Sequence, residues 1–228
     1  MNRRMSNGTV VIVGASLAGG RAAEQLRRGG WNGRIVLVGE ELERPYDRPP
    51  LSKKFMRGQI EAEKLFFRAA DWYDAQKIEA ILGRRAVSLS TTAREVSLDD
   101  GQRLAFDRLL VATGAAPRMP AIPGVELKGV YPLRTLADAR AIRAELVPGR
   151  RVVVIGAGVI GAEVAASCRD EGLEVVMLEA AATPLLRAFG PEIGGLYGEI
   201  HRARGVVLRC GVMATELRGA SRVEEVVT

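Results

Sequence analysis

Histidine and cysteine are scarce in this chain, and their scarcity argues against several kinds of catalytic chemistry. His201 is the only histidine, and Cys168 and Cys210 are the only cysteines, among 228 residues. Metal sites and Ser-His-Asp triads both draw on histidine, so neither is expected. The two cysteines form no C-x-x-C pair of the kind that a dithiol reductase uses. We predict two buried structural thiols and, for His201, an exposed position on a helix.

Long apolar runs and blocks of like charge are also absent from the sequence. The first apolar run stops at Gly14, and a later one over residues 151–166 is interrupted by glycines and Glu163. No signal peptide or membrane span is therefore predicted. The net charge of +6 comes from scattered arginines, which does not indicate nucleic-acid binding. It suits an acidic protein partner or a generally arginine-rich surface, and we expect a cytoplasmic globular protein.

The stretch VVIVGASLAGGRAAE, residues 10–24, carries the first of two dinucleotide-binding patterns. Its β-branched residues predict a buried parallel strand, Gly14 a sharp turn, and Gly19 close packing of the helix that follows. Such a turn directs backbone N–H groups and a helix N-terminus toward one point, which suits a pyrophosphate. Ser16 replaces the middle glycine of G-x-G-x-x-G and needs a negative φ there. Glu40 ends the next strand, where a carboxylate can bind ribose hydroxyls.

The second pattern, RVVVIGAGVIGAE at residues 151–163, is an uninterrupted G-x-G-x-x-G. Its glycines are Gly156, Gly158 and Gly161, a helix follows, and the next strand ends at Glu179. Glu179 offers a carboxylate to the 2′-hydroxyl of NADH and would repel the 2′-phosphate of NADPH, although Arg187 could reach that phosphate. Two complete fingerprints predict an α/β fold with two Rossmann-like βαβ modules.

The remaining pattern divides the chain into three parts. Residues 1–117 form the first module with a small β-meander inserted, 118–148 form a connecting segment with a helix capped by Thr135, and 149–228 form the second module.

After Glu179 a helix is predicted over residues 192–204. Strands are predicted at 206–209, 212–217 and 222–227. No residues remain for a further parallel strand, so we expect a truncated second module whose last strand presents an unpaired edge.

Two further motifs accompany these fingerprints, RPYDRPPLSK at residues 44–53 and ATGAAPR at 112–118. With them the sequence resembles the FAD-dependent NAD(P)H reductases of the ferredoxin, rubredoxin and putidaredoxin reductase type, within the glutathione-reductase-like flavoproteins. The resemblance implies FAD in the first module, NAD(H) in the second, and electron transfer to a ferredoxin- or rubredoxin-type iron–sulfur protein. Members of that family are considerably longer, so the chain corresponds to their N-terminal portion.

The resemblance also implies a set of site residues. Lys53 would place its ammonium near flavin N5, where a cation stabilises the anionic reduced flavin. Glu163 would be its ion-pair partner, facing the nicotinamide pocket, and these two residues form the implied catalytic pair. Glu40 would bind the adenosine ribose, and Ala86 would contact the adenine end through its backbone. The implied FAD contacts are Gly14, Ala15, Ser16, Gly19, Glu40, Arg48, Lys53, Ala86, Thr113, Gly114 and Arg134, and the NAD contacts are Gly156, Gly158, Gly161 and Glu179.

Two other functions are compatible with the sequence. A truncated chain with both fingerprints fits a dinucleotide-binding module that catalyses nothing, although Lys53 and Glu163 favour an enzyme. The same fold also serves flavoproteins that reduce another acceptor, such as oxygen, a quinone or, through a partner subunit, nitrite.

Overall fold

The computed structural model describes residues 7–228, which divide into two compact units. The first unit comprises the described residues up to 47 together with 62–115, and the second comprises 48–61 together with 116–228. The segment 48–61, which carries the sequence PPLSK, therefore packs with the second unit. The module boundaries inferred from the sequence, at residues 117 and 148, remain a prediction.

A parallel sheet forms the centre of the first unit. In chain order its elements are β1 (Val10–Val13), α1 (Leu17–Arg28), β2 (Ile35–Gly39), a 3₁₀ helix (Ala62–Leu65), α2 (Ala70–Ala75), β3 (Ile78–Leu82), β4 (Ala86–Ser90), β5 (Glu95–Leu98), β6 (Arg103–Ala105) and β7 (Arg108–Val111). The sheet has the spatial order β3-β2-β1-β7, all parallel. The strand order reverses at β1, and doubly wound sheets bind ligands at the carboxyl end of the strands beside such a reversal.

The two central strands, β1 and β2, are buried on both faces, which explains their continuous apolar runs. Ile12 and Leu37 lie on one face, in a core that also contains residues of α1 and α2. Val11 and Val36 lie on the opposite face and pack with Leu104 and other residues of the meander formed by β4, β5 and β6. Neighbouring residues of a strand point to opposite faces, so an apolar run fills both cores.

The meander is an antiparallel sheet of order β4-β5-β6. The β5–β6 turn contains Asp100, whose carboxylate accepts a hydrogen bond from the amide of Gln102 at 3.0 Å, and Gly101 with φ +87°. Aspartate and a glycine at positive φ are the residues such a turn requires. The predicted meander is confirmed.

The second unit is built around a separate parallel sheet. In chain order its elements are a 3₁₀ helix (Pro49–Ser52), α3 (Leu136–Glu145), β8 (Arg151–Ile155), α4 (Val159–Asp170), β9 (Glu174–Glu179), α5 (Leu186–Ala203), β10 (Val206–Cys210), β11 (Glu216–Arg218) and β12 (Glu225–Val227). The parallel sheet has the order β10-β9-β8, and β11 pairs with β12 in antiparallel fashion. A core of Val154, Met177, Ala165 and other residues joins this sheet to α4. The predicted α/β fold with two βαβ modules is confirmed.

Two details of the second unit correct the expectations from sequence. The helix expected from residue 192 begins at Leu186, because α5 continues through a kink at Gly190, which has φ +80° and is followed by Pro191. The strands expected at 212–217 and 222–227 shorten to β11 and β12. The last strand pairs with β11 along one edge, and no strand among residues 7–228 pairs with its other edge, so the expectation of an unpaired edge stands.

Across residues 7–228, no helix combines the length and the apolar character that crossing a bilayer requires.

Candidate functional site

The first glycine loop follows β1 and leads into α1. Gly14 has φ +117°, and a Cβ there would overlap the carbonyl of Ala112. A Cβ at Gly19 would overlap the carbonyl oxygen of Gly14, so α1 packs directly on the loop. Ser16, the N-cap residue, has φ −109° and ψ −156°, and its side chain does not cap α1. The first turn of α1 therefore presents main-chain N–H groups, as an anion site requires.

Three more predicted residues lie in this loop or beside it. A Cβ on Gly39 would meet the Cβ of Ala15 at 2.5 Å, which places Ala15 over the end of β2. The amide nitrogen of Thr113 lies 3.0 Å from a Cβ built on Gly14, and Gly114 follows with φ +70°. The structure thus brings Gly14, Ala15, Thr113 and Gly114 together at the carboxyl ends of β1, β2 and β7.

Glu40 and Ala86 lie beside the end of β2. Glu40 Oε1 is 3.1 Å from Nε of Arg85, and the Glu40 side chain is 66% exposed. Exposed ion pairs of this kind contribute little to stability, so Glu40 can exchange Arg85 for a ligand hydroxyl at small cost. Ala86 begins β4, directly after Arg85, and is half-buried.

The second glycine loop follows β8 and differs from the first at its middle glycine. Gly156 has φ +97°, and its amide donates to the carbonyl of Leu178 at 2.8 Å. A Cβ at Gly161 would overlap the carbonyl oxygen of Gly156, as at Gly19 of the first loop. Gly158 has φ −74°, and a Cβ there would meet no atom within 4 Å. The fold itself does not require a glycine at 158. The open space and the uncapped start of α4 fit a pyrophosphate lying against the backbone.

Because of this difference, alanine at 158 should weaken coenzyme binding, whereas alanine at 161 should lower the stability of the fold. Gly158→Ala is expected to change the free energy of unfolding by less than about 1 kcal/mol, because the new Cβ enters open space at an N-cap position. It should raise the Kd for NADH at least about tenfold if the pyrophosphate is bound in the open space beside Gly158, as the sequence predicts. Gly161→Ala should instead destabilise the chain by about 2 kcal/mol, because its Cβ overlaps backbone. Urea unfolding and NADH fluorescence titration measure both, and an unchanged Kd in Gly158→Ala would contradict the assignment.

Glu179 fastens the second loop to the end of β9. Its Oε2 accepts the amide of Ala157 at 2.7 Å, and its Oε1 accepts the amide of Ala181 at 2.8 Å. This structural role was missed in the sequence analysis, because no local pattern shows that the carboxylate bonds backbone 22 residues away. Each carboxylate oxygen can accept more than one hydrogen bond, so Glu179 can also accept ribose hydroxyls.

Lys53 and Glu163 form an ion pair within the second unit. Lys53 Nζ lies 2.6 Å from Glu163 Oε2, and Ser52 Oγ donates to the same oxygen at 2.5 Å. Ser167 Oγ donates to the main-chain carbonyl of Ser52 at 2.7 Å. The two serines were missed in the sequence analysis. The available signals were the place of Ser52 inside the PPLSK motif and the place of Ser167 one helical turn after Glu163.

Arg48, just before the 3₁₀ helix Pro49–Ser52, is hydrogen-bonded to Arg134. Arg48 Nη1 donates to the carbonyl oxygen of Arg134 at 2.5 Å, and Arg48 is the N-cap residue of the 3₁₀ helix that contains Ser52. The amide of Arg134 donates to the carboxylate of Asp138 at 2.9 Å, beside the capping box that Asp138 forms with the N-cap residue of α3. The half-buried Arg48 is thus bonded to the backbone that leads into α3 rather than lying free in solvent.

His201 and Cys168 are buried, whereas Cys210, which was predicted to be buried, is half-buried. His201 is 7% exposed on the buried stripe of α5, so the prediction of an exposed histidine was wrong. Burial lowers the pKa of His201 and favours its neutral form. Burial raises the pKa of Cys168 to about 11, and it also raises the pKa of the half-buried Cys210. Thiols held protonated in this way are poor nucleophiles.

Comparison with known families decides the classification of this chain. The sequence profile of the pyridine nucleotide-disulphide oxidoreductases matches residues 8–228. The chain belongs to this family. The two glycine loops fit this family, because each lies between a parallel strand and a helix, as glycine-rich loops do in dinucleotide-binding folds.

Several named proteins and solved structures are similar to this chain. The ferredoxin–NAD(+) reductase component of the p-cumate 2,3-dioxygenase system of Pseudomonas putida is 42% identical over 214 residues, which cover 94% of this chain and 53% of the relative. Putidaredoxin reductase of Pseudomonas putida is 41% identical over 209 residues, covering 90% and 50%. The crystal structure of a covalent putidaredoxin reductase–putidaredoxin complex matches with a TM-score of 0.92 at 38% identity, covering 97% of this chain and 55% of that chain.

The chain spans about half the length of the relatives it matches. The resemblance to ferredoxin and putidaredoxin reductases that the sequence indicated is confirmed.

Proposed function

We propose that the whole protein is an FAD-dependent reductase that takes hydride from NADH and passes electrons to a ferredoxin- or rubredoxin-type iron–sulfur protein. The observation that carries the proposal is the Lys53–Glu163 ion pair, in which Glu163 belongs to α4, the helix that begins at the second glycine loop. The names of the relatives support it, because they are ferredoxin–NAD(+) reductase components and a putidaredoxin reductase. The structural match to a putidaredoxin reductase bound to putidaredoxin supports the class of partner.

FAD, when bound, would accept a hydride from nicotinamide C4 and release electrons singly. The first glycine loop would hold its pyrophosphate through main-chain N–H groups, since Gly14 and Gly19 leave room for close approach. Glu40, exposed at the end of β2, would accept ribose hydroxyls. Ala86 would contact the adenine end through its backbone. The remaining residues proposed to line this site are Ala15, Ser16, Arg48, Thr113, Gly114 and Arg134.

Lys53 and Glu163 would contribute to the reaction through their charges. The Lys53 ammonium would offset negative charge that develops on a reduced ring system nearby. Glu163 would hold that ammonium in one place, because the ammonium and the Ser52 hydroxyl both contact Oε2 of the Glu163 carboxylate. Neither residue would transfer a proton in this role, and we propose them as the catalytic pair.

The second loop would bind NAD(H), with Gly156, Gly158 and Gly161 around the pyrophosphate and Glu179 at the ribose. The Glu179 carboxylate is fixed by two backbone amides, so it cannot easily turn away from a 2′-phosphate. We therefore propose a preference for NADH over NADPH.

Glu179→Gln is expected to reduce the preference for NADH over NADPH at least about tenfold, because the substitution removes the charge that repels the 2′-phosphate and keeps an oxygen acceptor. The ratio of the two dissociation constants, measured by fluorescence titration, gives the preference. Glu174→Gln, at the exposed opposite end of β9, is the matched control and should leave the ratio unchanged. A ratio equal to wild type in Glu179→Gln would contradict this role.

The visible absorption spectrum of the FAD-supplemented chain tests the proposal directly. A flavin band that persists after free FAD is removed, and bleaches when NADH is added without oxygen, is the expected result. Electron transfer would then be measured with ferredoxins as acceptors. A chain that binds NADH while holding no flavin would favour a dinucleotide-binding module without activity. A bleached flavin that reoxidises with oxygen or a quinone faster than with any ferredoxin would point to another acceptor.

We further propose that the protein works in the cytoplasm and that its net charge of +6 helps attract an acidic partner. Cys168 and Cys210 are free thiols in the structure, which suits a reducing compartment.

A further inference from the structure

Two buried serines hold the Lys53–Glu163 ion pair. Ser52 Oγ donates to the carboxylate oxygen of Glu163 that Lys53 Nζ also approaches, and Ser167 Oγ donates to the carbonyl oxygen of Ser52. We infer that Ser52 and Ser167 are positioning residues for this ion pair. The catalytic consequence of that inference rests on the proposed function, whereas the positioning itself does not.

The burial of the four side chains shows which of them can impose geometry. Lys53 and Glu163 are 42% and 29% exposed, whereas Ser52 and Ser167 are 5% and 3% exposed. An ion pair between long, partly solvated side chains is weak and loses rotamer freedom when it forms. Hydrogen bonds of buried hydroxyls are not readily exchanged for water, because breaking them leaves a buried polar group unsatisfied. Ser52 therefore restrains the carboxylate more firmly than Lys53 does, and Ser167 restrains the backbone of Ser52.

The position of Ser167 on α4 extends this restraint to the backbone. Glu163, Ser167 and Asp170 lie at i, i+4 and i+7, so they share one face of the helix. They contact Ser52, the Ser52 carbonyl and, at 2.6 Å, Arg57. Residues 52–57 thus lie along α4 with three successive contacts, and the middle contact is the buried one.

Anchoring the Ser52 carbonyl also fixes the peptide from which Lys53 extends. Ser52 and Lys53 share that peptide, and the Lys53 amide donates to the carbonyl of Pro50 at 3.0 Å. The carbonyl and the amide of the Ser52–Lys53 peptide are therefore both hydrogen-bonded, which restrains the backbone from which the Lys53 side chain extends. Catalytic groups displaced by about 1 Å can lose much of their effect, so this restraint matters for a charge that must face a reacting ring.

The first test needs no cofactor. Lys53 and Lys54 are adjacent, so Lys54 is an internal reference when the native chain is treated with a small amine-reactive reagent and labelling is read by mass spectrometry. Ser52→Ala and Ser167→Ala are each expected to raise the Lys53-to-Lys54 labelling ratio at least about threefold, because the ammonium spends more time away from Glu163. Ser221→Ala, at an exposed serine of the same unit, should leave the ratio unchanged. A wild-type ratio in both Ser52→Ala and Ser167→Ala would overturn the inference.

The second test follows flavin reduction by NADH in FAD-loaded protein. Ser167→Ala is expected to lower the rate at saturating NADH about fivefold while changing the apparent affinity for NADH less than about twofold. In a Lys53→Met background the same substitution should have no further effect, because Ser167 acts through Lys53. An equal loss in both backgrounds would overturn the catalytic part of the inference. NADH could fail to reduce the flavin of the wild-type protein while the serine variants still show a raised labelling ratio. That result would refute the proposed function and leave the positioning role intact.

Discussion

Lys53→Met is expected to slow the reduction of bound flavin by NADH at least about tenfold, which corresponds to about 1.4 kcal/mol of activation free energy. Methionine keeps an unbranched side chain of similar length and removes the positive charge. Without the ammonium, Glu163 Oε2 keeps only the hydrogen bond from Ser52, and its negative charge is no longer offset. A loss of this size is modest for removal of a unit charge from a partly buried site. Anaerobic stopped-flow absorbance at saturating NADH measures the rate.

Lys54→Met is the matched control for this experiment. Lys54 is the neighbouring lysine, it is exposed, and the substitution changes the net charge by the same amount. A general effect of charge on coenzyme association would therefore appear in both variants, whereas an effect of the ion pair would appear only in Lys53→Met. Equal rates for Lys53→Met and the wild type would remove the role proposed for Lys53.

Glu24→Gln is expected to lower the free energy of unfolding by about 2 kcal/mol near neutral pH. The Glu24 side chain on α1 is 3% exposed, and three arginines surround it: Arg68, Arg21 at 2.9 Å and Arg28 at 2.7 Å. Glutamine keeps the shape of the side chain and loses the charge that these guanidinium groups share. Urea unfolding, followed by circular dichroism, measures the difference.

The stabilisation from Glu24 should also depend on pH. The hydrogen bond from Arg68 holds the pKa of Glu24 below its ordinary value of 4.5, Arg21 and Arg28 add to this effect, and burial opposes it. A carboxylate whose pKa is lowered on folding stabilises the fold fully above its unfolded pKa and loses that contribution as the pH falls through its folded pKa. The difference between Glu24→Gln and the wild type should therefore shrink in acid.

Glu63→Gln is the control for Glu24→Gln. Glu63 is exposed in the 3₁₀ helix Ala62–Leu65 of the same unit, so its substitution should change stability by less than about 0.5 kcal/mol. A pH-independent difference between Glu24→Gln and the wild type would contradict the electrostatic explanation.

The dinucleotide loops could be predicted because their requirements are local. A turn at positive φ and a helix packed directly on it demand glycine within a few residues, as at Gly14 and Gly19, or Gly156 and Gly161. The apolar runs of β1 and β2 could be assigned to a parallel sheet because a strand buried on both faces has no polar positions. The capping box of α3 is likewise contained in a short sequence that begins at Thr135.

Buried polar groups could not be predicted in the same way. His201 was expected at the surface because α5 alone does not show which of its faces meets β10, and His201 lies on the buried face. The double role of Glu179 depends on amides that its own strand does not contain. Glu24 is ionised inside the first unit because Arg68, 44 residues away, supplies its partner.

The sequence by itself determined the family, the two βαβ modules and the residue types around each glycine loop, because these depend on short-range sterics and on the period of apolar residues. Only the tertiary structure decided that residues 48–61 pack with the second unit and that Ser167 supports Ser52 across 115 positions of chain. Such contacts depend on which helix face meets which segment, and that choice is made by the packing of the whole unit and not by neighbours in sequence.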